Sequence, residues 1–183
     1  MLEFLKTRIS GAKLWCNDPV FGLLSTERIK GRGRPIGDPP LFEWFGPPID
    51  EPRLRFSKVE EVVIHAGHNG PSDAHRQGWL KLLTDSATFE RVLKRELFDN
   101  YLWHKQALLK DCRERYGGED LSRYESWPIY ANADEAFASN CFDVCFLHVH
   151  EDHLEFYIFN DWDEEHNLRI WVRDGRFVEL AQA

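Results

Sequence analysis

A chain of 183 residues with 43% hydrophobic and 14% aromatic content carries enough apolar mass for a real core, which excludes disorder on the scale of the whole chain. A formal net charge of −8 and a pI near 5.5 set the average surface against a nucleic-acid backbone and suit a basic protein partner instead. The opening MLEFLKTRIS is interrupted by Glu3, Lys6 and Arg8, and no run approaches the ~20 apolar residues of a bilayer span, so the expectation is one cytoplasmic domain over residues 1–183 with no membrane association.

Between Trp15 and His65 the chain alternates short apolar runs with breakers at Asn17-Asp18-Pro19, Gly31 to Pro40 and Gly46-Pro47-Pro48. Three strands are expected, near Val20–Ile29, Leu41–Phe45 and Leu54–His65. His68-Asn69-Gly70-Pro71 ends the last of them, and Ser72 or Asp73 caps a helix to about Leu83, with Trp79, Leu80 and Leu83 as its apolar side. A longer helix starts at Asp85 or Ser86. Phe89, Val92, Leu93, Leu97, Tyr101, Leu108 and Cys112 recur at helical spacing until Gly117-Gly118 stops the pattern. The polar stretch 119–140, broken by Pro128, reads as a connector with a helical turn around Asp134–Ser139.

From Cys141 to Leu180 the alternation is that of successive strands. A turn at Glu151-Asp152 places Val149 across from Leu154, Leu147 across from Phe156 and Cys145 across from Ile158 on one face. The other face then carries His148 opposite Glu155, His150 opposite His153 and Phe146 opposite Tyr157. A second turn at Asp174-Gly175 pairs Val172 with Phe177 and Trp171 with Val178. The fold expected is therefore α+β: an antiparallel sheet of N-terminal strands and a C-terminal meander, with one long and one short helix packed against it. Four cysteines without a CxxC pair, Cys16, Cys112, Cys141 and Cys145, read as reduced thiols.

Chemistry-bearing residues gather in a few places. His148, His150 and His153, with Glu155, share one face of the expected hairpin, and imidazole nitrogens at His-x-His spacing on a strand are what a zinc site needs. The plainer reading is the wet side of a half-buried ribbon. Asp161, Asp163, Glu164 and Glu165 make the densest acidic cluster, beside His166; they offer a binding surface and the groups a divalent metal or a general acid–base pair would use, and the plainer reading is a solvated loop anchored by Trp162. His65, His68 and His75 flank a turn and a helix start and could converge. Arg32-Gly33-Arg34-Pro35 matches the core of an AT-hook, but a lone copy in an acidic chain reads as a loop. No Gly-rich phosphate loop, GxSxG elbow, HExxH helix or Cys-based zinc finger is present, and no cofactor follows from the sequence.

Three segments together carry a resemblance: Asp18-Pro19-Val20-Phe21-Gly22; Gly70-Pro71-Ser72 leading to Gln77 and the Phe98-to-Tyr101 region; and Trp162-Asp163-Glu164-Glu165-His166-Asn167-Leu168 through Asp174-Gly175-Arg176-Phe177-Val178. They resemble a bacterial family of small uncharacterised domains that end in Trp-Asp-Glu-Glu-His-Gly-Leu, a strand, Asp-Gly and a final strand. Asn167 stands where that pattern has Gly, an exchange a left-handed turn tolerates. The resemblance implies no catalytic residue. Its association with immunity proteins implies a binding protein that neutralises a basic toxin through acidic complementarity, rather than an enzyme. The alternative is a metal-dependent hydrolase built on His148, His150 and His153.

Overall fold

The structure is a computed structural model that describes residues 14–27, 42–46, 59, 61–121, 127–139, 142–163 and 166–182. Among the described residues eight strands form one sheet in sequence order: β1 (Trp15–Asp18), β2 (Gly22–Glu27), β3 (Phe42–Phe45), β4 (Glu61–Ala66), β5 (Phe142–Val149), β6 (Leu154–Asn160), β7 (Leu168–Arg173) and β8 (Arg176–Gln182). Between β4 and β5 the chain forms α1 (Asp73–Thr84), α2 (Ser86–Tyr116) and α3 (Ala133–Ala138).

The α+β class and the C-terminal meander are as expected, with two corrections. The sheet is mixed, because β5 pairs parallel to β4 while all other described neighbours are antiparallel. Leaving β4, building helices and returning parallel is the ordinary way for a chain to make such a pair. The N-terminal part also begins one strand earlier than expected. Asn17 and Asp18, read as breakers, end β1, and the Asp18 carboxylate makes the turn by accepting from the N–H groups of Val20 (2.9 Å) and Phe21 (3.0 Å). Arg76 of α1 donates to the same carboxylate from Nε (3.0 Å) and Nη2 (2.9 Å), tying helix to hairpin. Burial alone would raise the Asp18 pKa; the Arg76 and backbone donors outweigh it and hold it below the usual carboxylate range.

One face of the sheet is apolar and covered by helices. Val62 and Ile64 of β4 pair with Leu147 and Val149 of β5, and the row continues through Phe156, Ile158, Ile170 and Val172, all buried. Phe89 of α2 meets Phe156 with ring centroids 6.4 Å apart. On α2 the buried residues are Phe89, Val92, Leu93, Leu97, Tyr101 and Cys112, the expected stripe except for the half-buried Leu108. On α1 the buried set is His75, Trp79 and Leu82, while Leu80 is exposed, so the helix is turned relative to the expected apolar side. His75 cannot be left facing water because its ring closes the helix start, accepting at Nδ1 from the Ser72 N–H at 3.1 Å.

The β5–β6 hairpin has the expected pairs Val149 with Leu154, His148 with Glu155, Leu147 with Phe156 and Phe146 with Tyr157. Beyond them the register shifts, and Ile158 pairs with Val144 rather than with Cys145. An extra residue in one strand is a β-bulge, which returns the apolar parity to the core side. A second shift, between Trp171 and Val172, keeps Val172 opposite Phe177 but places Glu179, not Val178, opposite Trp171. No described helix is long and apolar enough to cross a membrane.

Candidate metal centre

The opposite face of the sheet has a different chemistry. Across four strands the register sets Val63, His148, Glu155 and Trp171 side by side. Because β4 and β5 run parallel, the residue two beyond Val63 lies beside the residue two beyond His148. His65 is thereby brought to His150, and their rings stack at 4.3 Å between centroids and 5° between planes.

His65, His148 and His150 form a metal-competent group, each offering one ligand nitrogen within 4.8 Å of the others. His65 Nε2 and His148 Nδ1 are 3.0 Å apart, near the ~3.3 Å that two nitrogens at 2.0–2.1 Å from one tetrahedral zinc would keep. In the stack, the in-plane lone pairs of His65 and His150 run in parallel planes, so sharing an ion turns one ring about its side-chain bond.

Protonation favours ligation. Burial is the main reason that His65 is pushed down to about 3, with the fields of His150 and His148 adding to it. Burial also lowers His148. At neutral pH both rings are therefore uncharged; their facing nitrogens share one proton across the 3.0 Å hydrogen bond, and a change of tautomer that moves it to the far nitrogen frees both lone pairs for an ion. Glu155 stands behind them. His150 Nε2–H donates to its Oε2 at 3.2 Å, His148 Nδ1 lies 3.8 Å from the same oxygen, and Arg169 Nη1 is 3.4 Å from Oε1. Burial by itself would raise the Glu155 pKa, but the His150 hydrogen bond and the field of His148 bring it down to about 2, so it remains a carboxylate. A carboxylate that fixes the far nitrogen of a histidine is a recurrent support for metal ligands. From the helix side, His75 Nε2–H donates to the backbone carbonyl of His65 at 2.9 Å and steadies the end of β4.

The third histidine of the expected trio is placed differently. His153 lies across the turn from His150 and stacks on it at 4.3 Å, but its Nδ1 is 2.7 Å from Asp152 Oδ1 and it falls outside the metal-competent group. His65 takes that place. His68 is apart, with its ring 5.9 Å from Phe42.

The acidic segment is a corner of the fold. Trp162 is buried and donates from Nε1 to Asn100 Oδ1 at 2.9 Å. Asp163 accepts from His166 Nδ1 at 3.0 Å, and its N–H donates to Asn160 Oδ1 at 2.8 Å. Asp161 is exposed, whereas Glu164, Glu165 and the Arg32–Pro35 segment lie outside the described residues. The chain matches no protein-family model, no curated protein and no solved structure.

Proposed function

We propose that the protein holds one divalent transition-metal ion, zinc by its ligand type, at His65, His148 and His150, and uses it for hydrolysis. The observation that carries this reading is the convergence of three ring nitrogens within 4.8 Å from two strands joined only by parallel pairing. Three imidazole ligands would leave the charge of such an ion intact and a position open, and the ion would supply there the acidification of water that metal-assisted hydrolysis uses. Glu155 would hold His150 and offset part of the added charge.

The test is elemental analysis of the full chain purified without chelator and then offered zinc. One equivalent is expected, falling below a tenth in a His65→Ala, His148→Ala double variant that remains folded by circular dichroism. Metal-free protein after loading would end the reading.

A second reading, neutralisation of a basic protein such as a toxin, is favoured by the net charge of −8 together with the exposure of Trp103 (62%) and Ile129 (64%). It predicts a single basic protein retained from cell extract at low salt and lost at high salt. Of the aromatics that could serve it, Trp44 is excluded by burial and Trp127 is half-buried.

A further inference from the structure

Arg169 lies on the histidine face of the sheet, opposite Tyr157 and one strand beyond Glu155. Its guanidinium can donate five hydrogen bonds in a fixed fork. Among the described residues its side chain makes one long contact, Nη1 to Glu155 Oε1 at 3.4 Å. Its Nε is shut off from solvent with no hydrogen-bond partner, although the side chain as a whole remains 40% exposed. The exposed end of the guanidinium, tied only by the long contact to Glu155, keeps N–H donors for an acceptor from outside.

Its surroundings limit what that acceptor can be. Phe146 and Tyr157 meet edge to face at 5.8 Å, and Tyr157 meets Phe159 at 6.0 Å, so a strip of rings runs beside Arg169. The Tyr157 hydroxyl accepts from Asn167 Nδ2 at 3.3 Å and keeps its own O–H to donate at the edge of the strip. Glu155 balances Arg169 in charge, and Glu43 and Glu61 lie farther across the same face beside His65 and Phe146, so a divalent ion at the histidines would supply the positive charge next to Arg169.

We propose that this face binds an oxyanion carried on a flat apolar body, a carboxylate or a phosphoryl group attached to an aromatic ring, with Arg169 holding the anion and the Phe146–Tyr157 strip holding the ring. The inference rests on the metal reading, because the ion supplies the positive field and the second point of attachment. Arg169 acts as a specificity-determining residue, and His65, His148 and His150 hold the ion.

Cobalt(II) in place of zinc makes the two claims separable. The full chain loaded with cobalt is expected to show visible ligand-field bands, and titration with phenylphosphonate or benzoate is expected to shift them. Arg169→Met should still show ligand-field bands and should weaken both anions by about 10-fold or more, the loss of one charge-assisted hydrogen bond in a shielded site. Arg169→Lys, which keeps the charge but not the fork, should fall between. Inorganic phosphate and acetate, lacking the ring, should bind more weakly than their aryl counterparts. Bands that no anion moves, or that anions move equally in wild type and Arg169→Met, overturn this inference alone. If cobalt gives no ligand-field bands at all, the metal reading and this inference fall together.

Discussion

Leu147 and His148 are adjacent on β5 and face opposite ways. Leu147 is fully buried opposite Phe156, whereas the His148 side chain stays 25% exposed opposite Glu155. Side by side they show how one sheet divides its work. On the helix-covered face, stability comes from apolar area removed from water, at roughly 25 cal/mol per Å². On the histidine face the half-buried His148 and His150 and the buried Glu155 are held mainly by contacts with one another, and net gains from such polar exchanges are small. Packing faults on the covered face should therefore cost far more than conservative changes on the open one, while the response to pH and to ions should live on the open face.

The sharpest way to break that contrast is a pair of neighbours on β6. Phe156→Ala should cost about 3–5 kcal/mol through lost burial and the cavity left against Phe89. Tyr157→Ala, on the open face, should cost less than half as much. Urea titrations at neutral pH measure both, and equal losses would mean that the open face is also a packed core.

Next in size is Asp18→Asn. The Asn side chain keeps an oxygen for the Val20 and Phe21 N–H groups but gives up the ion pair with Arg76, which is 2.9 Å away with the Asp18 side chain wholly buried. The loss should fall between those of Phe156→Ala and Gly175→Ala, because Arg76 can still reach water. Gly175→Ala should cost about 1–2 kcal/mol from two sources, a φ of +73° and a Cβ that would sit 2.9 Å from Thr88 Cγ2. Adding Thr88→Ser removes the steric part and should recover roughly half. Thermal melts of the single and double variants check the division.

What the sequence discloses follows the same division. The β5–β6 hairpin is readable because alternation and the Glu151-Asp152 turn fix the pairs from Val149–Leu154 to Phe146–Tyr157. The bulge beyond Phe146 is not, because a single inserted residue leaves the alternation on either side intact. Three short polar stretches of the sequence become corners. Asp18 turns β1 into β2, Ser72 and His75 start α1 beside Gly70, whose φ is +86°, and Trp162 with Asp163 closes the β6–β7 connection. His65 carries no local sign of its role. It stands 83 residues from His148, and only the parallel pairing of β4 with β5 joins them. Parallel register is set by helix packing over a long connection, which no short window of sequence contains.

The smallest effect at neutral pH, and the most informative, is expected from His65→Gln. The amide keeps a polar group near His148, so in metal-free protein at pH 8 stability should change by no more than about 0.5 kcal/mol. Acid separates the variants. In the folded chain His65 titrates at about 3 against an ordinary 6.5, so the unfolded chain binds the extra proton and stability falls as pH drops from 6.5 towards 3. Glu155, at about 2 against an ordinary 4.5, adds stability that is present above 4.5 and lost as pH falls towards 2. The two windows overlap only below 4.5, so the interval from 6.5 to 4.5 belongs to the histidines. There His65→Gln should flatten the stability curve, leaving the smaller slope that the lowered pKa values of His148, His75 and His104 provide. Parallel curves for wild type and variant in that interval would show that His65 is free to take a proton in the folded state. The difference in pH response between the two faces would then lose its main source at His65.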